Sequence, residues 1–266
     1  MELIVKKISF STAALFPRDS VESLRLIGAA GFEYAELMPQ CFSDVGDAFV
    51  SRAAGVGAKV GSVHYPLAMF SLLYNAHPGM CADARDFGRK IVRLCTGLGA
   101  GVLVVHPHER VKDALHYELL EKPIIKNILD LHSACVDAGV QLVMENNPRG
   151  PGRSPEGLLS YLESFGNGID IKPMVDTTES CEADEDPVEF LRKVKPAHTH
   201  LSDHVGDTKH IPAGDGEIDW KGVRDALAEN GYQGLYTLEP LYKHYLFDAE
   251  GELKRAHAFI SGLVGI

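Results

Sequence analysis

The chain has 266 residues, of which 45% are hydrophobic and 24% charged, and its formal net charge is −11. This length suffices for a full hydrophobic core in one or two domains, and a single α/β barrel of about 250 residues fits it directly. Lys and Arg are scattered and never stand more than two together, so the acidic balance disfavours nucleic acid as a partner.

The cysteines and the N-terminal segment predict the compartment. The five cysteines lie far apart and form no C-x-x-C pair, which is typical of reduced thiols in a cytoplasmic protein. They are Cys41, Cys81, Cys95, Cys135 and Cys181. The first residues, MELIVKKISF, are too few and too charged for a signal peptide, and no apolar run approaches the roughly 20 residues of a membrane span. We therefore expect a cytoplasmic protein without a membrane segment.

Short β-rich runs alternate with amphipathic helical stretches along the chain. The predicted strands are Lys7–Ser11, Tyr34–Leu37, Lys59–His64, Gly101–His106, Val140–Glu145, Asp170–Asp176, Ala197–Ser202 and Gly234–Glu239. The predicted helices are Ser20–Ala30, Asp44–Ala54, Ala82–Leu98, Pro123–Ala138, Pro155–Phe165, Pro187–Lys193, Trp220–Glu229 and Glu250–Leu263. Eight such units favour a (β/α)8 TIM barrel, a single domain over residues 1–266. An open doubly wound sheet is the alternative, but no G-x-G-x-x-G follows the first strand to support its dinucleotide-binding form.

Acidic and histidine residues recur at the ends of these predicted strands. They are His64, His106, Glu145, Asp176, His200 and Glu239. Charged and imidazole groups are costly in buried segments unless they are paired or bind a metal. In a barrel of this type the functional site lies at the C-terminal ends of the strands. The pattern therefore predicts a divalent metal site there.

The residues on strands five to eight form the core of this prediction. Glu145, Asp176, His200 and Glu239 come from neighbouring strands, so their side chains can converge on one point. Three carboxylates and one imidazole suit Mn²⁺, Mg²⁺, Co²⁺ or Zn²⁺. His64 and His106, from strands three and four, either hold a second metal or bind substrate.

A His-, Asp- and Gly-rich segment, residues 200–220, follows strand seven and is expected to be a long loop. His210 is expected to face the barrel mouth, and Gly214 and Gly216 to let the backbone approach a ligand. Asp219 is expected to cap the next helix. His198 shares a strand face with His200 but lies deeper, so a core position is expected for it. Asn146 and Asp203 are expected to support the ligands.

Several motifs resemble the xylose isomerase-like TIM-barrel superfamily, which includes endonuclease IV and many sugar isomerases and epimerases. The resemblance covers nearly the whole chain. The motifs that carry it are S-V-H-Y-P, V-V-H-P-H, M-E-N-N-P, V-D-T-T-E, H-L-S-D and H-I-P-A-G-D-G-E-I-D-W. The last is similar to a stretch common in members described as sugar phosphate isomerases/epimerases.

The epimerase branch implies one divalent metal held by Glu145, Asp176, His200 and Glu239. The resemblance gives Glu145 and Glu239 a second role, as the acid/base pair that exchanges protons with a substrate carbon. The metal binds adjacent substrate oxygens, acidifies the C–H group and stabilises an enediolate.

The endonuclease IV branch implies three zinc ions. The first would be bound by His64, His106 and Glu145, and the second by the four-residue set. The third site needs a His where Glu179 stands and an Asp-x-His where the chain reads Thr208-Lys209-His210, so only His210 matches. Many epimerases also carry a substrate-contacting His at the position of Glu179, which is expected here to support the site.

Three classes of function remain after this comparison. The leading hypothesis is a metal-dependent isomerase or epimerase acting on a small sugar, sugar phosphate or polyol, with a dehydratase or aldolase-type lyase as a close variant. A metal-dependent hydrolase of the endonuclease IV type, an AP endonuclease, is the second, and a non-catalytic sugar-binding barrel the third. Arg18, Arg149, Arg153 and Lys209 are candidates for holding a phosphate. Barrels of this superfamily often form dimers or tetramers, so a homo-oligomer is possible.

Overall fold

Eight parallel strands close into a barrel that is surrounded by helices. The computed structural model describes residues 6–108 and 116–266. The barrel strands are β1 (Lys7–Ser11), β2 (Tyr34–Leu37), β3 (Lys59–His64), β4 (Val102–Val105), β5 (Gln141–Glu145), β6 (Lys172–Asp176), β7 (His198–Leu201) and β10 (Leu235–Leu238). The last strand closes the ring against β1. The predicted TIM barrel is confirmed.

The helices begin and end at residues suited to those positions. They are α1 (Ser20–Ala29), α2 (Asp47–Ala53), α3 (Phe70–Leu73), α4 (Pro78–Leu98), α5 (Lys122–Ala138), α6 (Pro155–Glu163), α7 (Thr177–Glu182), α8 (Pro187–Val194), α9 (Trp220–Glu229) and α10 (Ala249–Val264). Asp219 accepts a hydrogen bond from Gly222 N, which confirms it as the cap of α9. Gly99 and Gly139 end α4 and α5 in the left-handed conformation.

The helix predicted over residues 44–54 begins later than expected. A short 3-10 turn, Phe42–Val45, precedes α2 and is separated from it by Gly46. The buried Asp44 carboxylate accepts hydrogen bonds from Ser20 Oγ at 2.8 Å and Gln40 N at 3.0 Å. These contacts hold Asp44 in a turn, because its carboxylate is used to join the loop to α1. The short helices α3 and α7 were not predicted.

The segment after β7 is not the continuous loop that its composition predicted. It contains an antiparallel hairpin of β8 (Asp203–Val205) and β9 (Thr208–Ile211). Val205 pairs with Thr208, so the turn consists of Gly206 and Asp207, and Gly206 has a φ of 51°. Two-residue hairpin turns favour positive φ, which glycine adopts at low cost. The hairpin fixes the position of His210 at the barrel mouth.

The interior of the barrel is apolar on one side and polar on the other. Val104, Val143 and Met174 form a small buried apolar cluster on β4–β6. The remaining strands contribute fully buried polar side chains at Ser9, Glu36, Ser62, His198 and Thr237. The main hydrophobic core lies outside this interior, between the barrel and the helices. Buried polar groups require hydrogen-bond partners, so this polar side must be organised around specific contacts.

The cysteine side chains differ in exposure, from exposed Cys41 to buried Cys95. All five cysteines are free, and burial raises the pKa of the Cys135 thiol to about 12. Within residues 6–108 and 116–266, no helix combines the length and apolar character needed to cross a bilayer.

The turn before β3 provides a test of the packing between α1 and the barrel. Gly55 and Gly57 both have positive φ, at 72° and 63°. A Cβ on Gly57 would overlap the Leu24 carbonyl of α1, whereas a Cβ on Gly55 would meet nothing within 4 Å. We expect Gly57→Ala to lower the free energy of unfolding by about 1–3 kcal/mol more than Gly55→Ala. Both substitutions place alanine at a positive φ, but only the one at Gly57 also forces its Cβ against the Leu24 carbonyl. Urea denaturation measures the difference, and equal losses would contradict the contact.

Candidate metal centre

The four residues predicted as metal ligands converge at the C-terminal end of the barrel. Glu145 and Asp176 end β5 and β6, His200 lies in β7, and Glu239 directly follows β10. The strand register pairs Asp176 with His200. One ligand atom from each of the four residues lies within 4.8 Å of the others. The fold therefore brings together the residues that the sequence places at four separate strand ends.

His200 lies at the centre of this group and is fully buried. Its Nδ1 atom lies 2.9 Å from Glu145 Oε1 and 2.7 Å from Glu239 Oε2. The same atom lies 4.0 Å from Asp176 Oδ2. One ring nitrogen and three carboxylate oxygens thus converge on one region, as the ligand atoms of a single metal ion do.

The charges of these groups stabilise one another. Burial raises the pKa of Glu145, but the neighbouring His200 and His106 outweigh it and hold that pKa well below the ordinary value. The pKa of Glu239 is likewise lowered, since His200 outweighs the effect of burial. Burial lowers the pKa of His200, but Glu239 and the other carboxylates around it raise that pKa well above the ordinary value. Both glutamates are therefore ionised at neutral pH.

Asp176 is held so that one of its oxygens stays free. Its Oδ1 accepts hydrogen bonds from Thr178 N at 2.6 Å and Glu179 N at 3.0 Å, which caps α7. Asn146 holds the backbone of Asp176 on both sides, accepting from its N–H at 2.6 Å and donating to its carbonyl at 3.1 Å. Asn146 thus holds the end of β6 in place. Burial, with Glu145 and Glu179 nearby, raises the pKa of Asp176 to about 7.

The donor atoms present fit a divalent metal ion. The buried Asp176 Oδ2 has no hydrogen-bond partner among the described residues, and such an oxygen is costly unless something binds it. Three carboxylates with one imidazole suit Mn²⁺, Zn²⁺, Mg²⁺ or Co²⁺. The site can therefore hold a cation of this kind through Glu145, Asp176, His200 and Glu239.

His64 and His106 lie beside the four-residue set and share Glu145 with it. His106 Nε2 lies 2.9 Å from Glu145 Oε2, and His64 Nε2 lies 3.6 Å from the same oxygen. His64 Nδ1 lies 2.7 Å from the Tyr65 carbonyl oxygen, which accepts a hydrogen bond from Nδ1–H and leaves Nε2 facing the site. These two residues are therefore placed either to bind a second ion or to contact a substrate at the first.

His210 and Glu179 occupy the edge of the site together. His210 Nε2 lies 3.2 Å from Glu179 Oε1, and its Nδ1 lies 3.9 Å from Asp176 Oδ2. Burial lowers the pKa of His210, but Asp176 and Glu179 raise it to about 9. This corner of the site therefore forms an ion pair between two side chains of the chain itself.

Asp203 organises the loop after β7. Among the described residues, its carboxylate makes hydrogen bonds to this loop and to Trp220, and none to a candidate metal ligand. The carboxylate accepts hydrogen bonds from three backbone N–H groups and from Trp220 Nε1, the last at 2.7 Å. The expectation that Gly214 and Gly216 admit a ligand is wrong. A Cβ on Gly216 would overlap Asp203 itself, and one on Gly214 would press on Phe259 at 2.5 Å. Both glycines serve the packing of the loop.

Sequence reasoning missed Glu36 and gave no partner to His198. Glu36 of β2 is fully buried, and its Oε1 lies 2.6 Å from His200 Nε2. Its Oε2 lies 2.8 Å from His198 Nε2. His198 is a buried histidine as expected, and Glu36 is its partner. The available signals were a lone glutamate inside the apolar run YAEL and the spacing of two histidines on one strand face.

A cavity of about 400 Å³ opens directly above the cluster. Its base includes His64, His106, Glu145 and Glu239. Its rim is mainly apolar and includes Phe16 and Tyr242, whose rings meet edge to face at 5.3 Å. Cavities of about 300–1,000 Å³ accommodate small molecules, so this one has room for a small polar ligand between the cluster and the rim.

The protonation of the cluster predicts that metal affinity rises with pH. A metal ligand must be deprotonated, and the raised pKa values of Asp176 and His200 mean that both hold protons near pH 6. We expect Mn²⁺ to bind up to about tenfold more tightly per pH unit between pH 6 and 8 for each proton released.

Calorimetry in buffers of different ionisation enthalpy measures both the affinity and the protons released. Asp176→Asn should release fewer protons and bind more weakly, whereas Asp225→Asn on the exposed face of α9 should behave as the unchanged protein. Binding that neither depends on pH nor releases protons would contradict this description of the site.

Known proteins of related sequence match parts of the chain. Over 155 residues the chain is 30% identical to an uncharacterised protein of Methanocaldococcus jannaschii, covering 53% of this chain and 51% of that protein. Over 119 residues it is 25% identical to the D-psicose 3-epimerase of Enterocloster bolteae, covering 44% of this chain and 38% of that enzyme. The chain thus spans about half or less of the length of these two relatives.

Solved structures extend the likeness over nearly the whole chain. An L-ribulose 3-epimerase superimposes with a TM-score of 0.78 at 19% identity, covering 98% of this chain and 95% of that one. The IolI protein with a bound zinc atom superimposes with a TM-score of 0.73 at 17% identity, covering 97% and 98%. Residues 24–263 match the family described as xylose isomerase-like TIM barrel, and the chain belongs to that family.

Proposed function

We propose that this protein is a divalent-metal-dependent isomerase or epimerase of a small sugar or polyol. The reaction is a proton transfer at a carbon next to a carbonyl, with Glu145 and Glu239 as the acid/base pair. The observation that carries the proposal is the pair of ionised glutamates, Glu145 buried and Glu239 partly buried, that face His200 Nδ1 at 2.9 and 2.7 Å. The likeness to sugar epimerases supports the reaction class.

Each glutamate has the properties that a proton-transfer group needs. Both line the cavity, so a substrate placed there lies within reach of either carboxylate. Ser11 Oγ donates to Glu239 Oε1 at 2.8 Å, and His106 Nε2 lies 2.9 Å from Glu145 Oε2. The hydrogen bond from Ser11 orients Glu239, and Glu145 has its own neighbour in His106, which suits a reaction in which one group removes a proton and the other returns one.

The metal and the protein side chains would divide the chemistry. A bound divalent ion would polarise adjacent substrate oxygens and so acidify the neighbouring C–H group. One glutamate then takes the proton from one face of the carbon, and the other delivers a proton to the opposite face. Two bases on opposite faces invert the carbon, which is epimerisation. Proton return to the neighbouring carbon gives the isomerase variant of the same reaction.

The contacts of the basic side chains considered for phosphate binding favour a substrate without phosphate. Arg18 donates to the backbone carbonyls of Tyr245 and Leu246. Arg153 lies 3.7 Å from Asp184, and Lys209 pairs with Glu182. Three of the four basic residues considered for phosphate binding are thus used elsewhere, and the cavity itself carries Glu179 beside the two catalytic glutamates.

Neutralising either glutamate should remove the reaction. On a ketose such as D-psicose, L-ribulose or D-tagatose, we expect Glu145→Gln and Glu239→Gln each to lower the rate by at least about 10²-fold, because each removes one acid/base group. Proton NMR in D₂O gives a sharper result. With two separate bases, each variant should still exchange the substrate C–H proton of one epimer while failing to exchange that of the other.

The matched control is Glu189→Gln, which neutralises an exposed glutamate paired with Arg192 on α8. Metal content of every variant is measured alongside, so that loss of the ion is distinguished from loss of the base. Full activity in either glutamine variant with the ion retained would contradict the assignment.

A second candidate function rests on the His64, His106 and Glu145 group, whose ligand atoms also lie within 4.8 Å of one another. With two or three zinc ions, such a barrel would be a metal-dependent hydrolase of the endonuclease IV type. The ion pair between His210 and Glu179 and the net charge of −11 disfavour it. Cleavage of an abasic-site duplex by the zinc-loaded protein would favour the hydrolase over the epimerase.

A further inference from the structure

Glu36 lies beneath the candidate metal centre and not in the cavity. It belongs to β2, on the side of the barrel interior where the buried residues are polar, and its side chain is fully buried. The residues that line the cavity include Glu145 and Glu239 but neither Glu36 nor His198. A substrate in the cavity therefore meets the two lining glutamates, while Glu36 can act only through the side chains that cover it.

The carboxylate of Glu36 is fixed at both oxygens. Ser62 Oγ donates to Oε2 at 2.8 Å, and His198 Nε2 lies 2.8 Å from the same oxygen. These two contacts use Oε2 and leave Oε1 directed at His200 Nε2, 2.6 Å away. Because these partners lie on β3 and β7 while Glu36 lies on β2, the orientation of the carboxylate is set by the closed barrel.

The two ring nitrogens of His200 have different partners as a result. Nδ1 faces Glu145 and Glu239, and Nε2 faces Glu36. A neutral imidazole carries one proton, and the nitrogen without it can bind a metal. A carboxylate at Nε2 keeps the proton there, so that Nδ1 presents its lone pair to the ion. The same hydrogen bond fixes the ring plane and increases the basicity of the ligand.

We propose that Glu36 is a positioning residue that holds the proton of His200 on Nε2 and thereby makes Nδ1 the metal-binding nitrogen. The inference rests on the proposed metal site and adds the group that orients its only imidazole. Ser62 and His198 complete the arrangement by holding Glu36 itself. Glu36 is placed to act on metal affinity and ligand geometry without touching the substrate.

The test compares Co²⁺ binding by the full chain and by Glu36→Gln, using calorimetry and the visible absorption of bound Co²⁺. Glutamine keeps the shape of the side chain but is a neutral acceptor that can also turn a donor toward His200. We expect Co²⁺ affinity to fall by about 10–100-fold and the absorption spectrum to change, because the geometry at His200 changes.

The matched control is Thr237→Val. Thr237 lies in the same polar interior, pairs in register with His200, and its Oγ1 has no hydrogen-bond partner among the described residues. We expect this variant to keep the affinity and the spectrum of the unchanged protein. Circular dichroism and the melting temperature of the metal-free proteins show that each variant folds. Should Glu36→Gln fail to fold, Glu36→Asp, which is one methylene too short to reach His200, carries the same prediction.

The outcomes separate this inference from the proposed function. A folded Glu36→Gln or Glu36→Asp protein with the Co²⁺ affinity and spectrum of the unchanged protein would overturn the role of Glu36 and leave the metal site intact. An unchanged protein that binds no Co²⁺ would overturn the metal site and this inference together. Weakened binding equal to that of Thr237→Val would also overturn it, since any disturbance of the interior would then have the same effect.

Discussion

Buried negative charge at one end of the barrel is the constraint on which the rest of the site depends. Four buried or nearly buried carboxylates, Glu36, Glu145, Asp176 and Glu239, surround the imidazole of His200, and His106 and His198 each lie against one of them. Removing a carboxylate from water costs several kcal/mol unless a cation or hydrogen-bond donors replace the water. In the metal-free protein a protonated His200 supplies part of that charge, and a divalent cation would supply more. The fold therefore places carboxylates where a cation is needed to compensate their charge.

The barrel holds these carboxylates close together because separate supporting residues fix them. Asp176 is held by the start of α7 and by Asn146, while Glu36 is held by Ser62 and His198. The supporting contacts come from strands and helix ends, which are rigid. Residues that act together in the proposed reaction therefore need no rearrangement of the scaffold to reach one point, in line with the preorganisation that catalytic sites require.

The fold and the convergence of the four candidate ligands could be predicted from the sequence because both leave local signals. Apolar runs of four to six residues, each followed by an acidic residue or a histidine, mark strands and their functional ends at once. Glu145 and Asp176 were found in this way. The alternation of strands and helices then predicted which of these ends would be neighbours in the closed barrel.

Other features depend on contacts between distant parts of the chain. Glu36 reaches across the barrel to residues more than 160 positions away, so the glutamate within YAEL gains a role only when it is considered together with the two histidines of β7. Gly214 and Gly216 were expected to admit a ligand, but their neighbours are Phe259 and Asp203. The β8–β9 hairpin, by contrast, had a local signal in its Gly206-Asp207 turn, which the surrounding charged residues obscured.

The most direct test of this account is where a metal ion binds. Diffraction from crystals grown with Mn²⁺, measured on both sides of the manganese absorption edge, locates the ion by its anomalous signal. The account predicts one strong peak bound by Glu145, Asp176, His200 Nδ1 and Glu239, with Glu36 still hydrogen-bonded to Nε2. No peak at these residues, or an ion bound through His200 Nε2 instead, would contradict it.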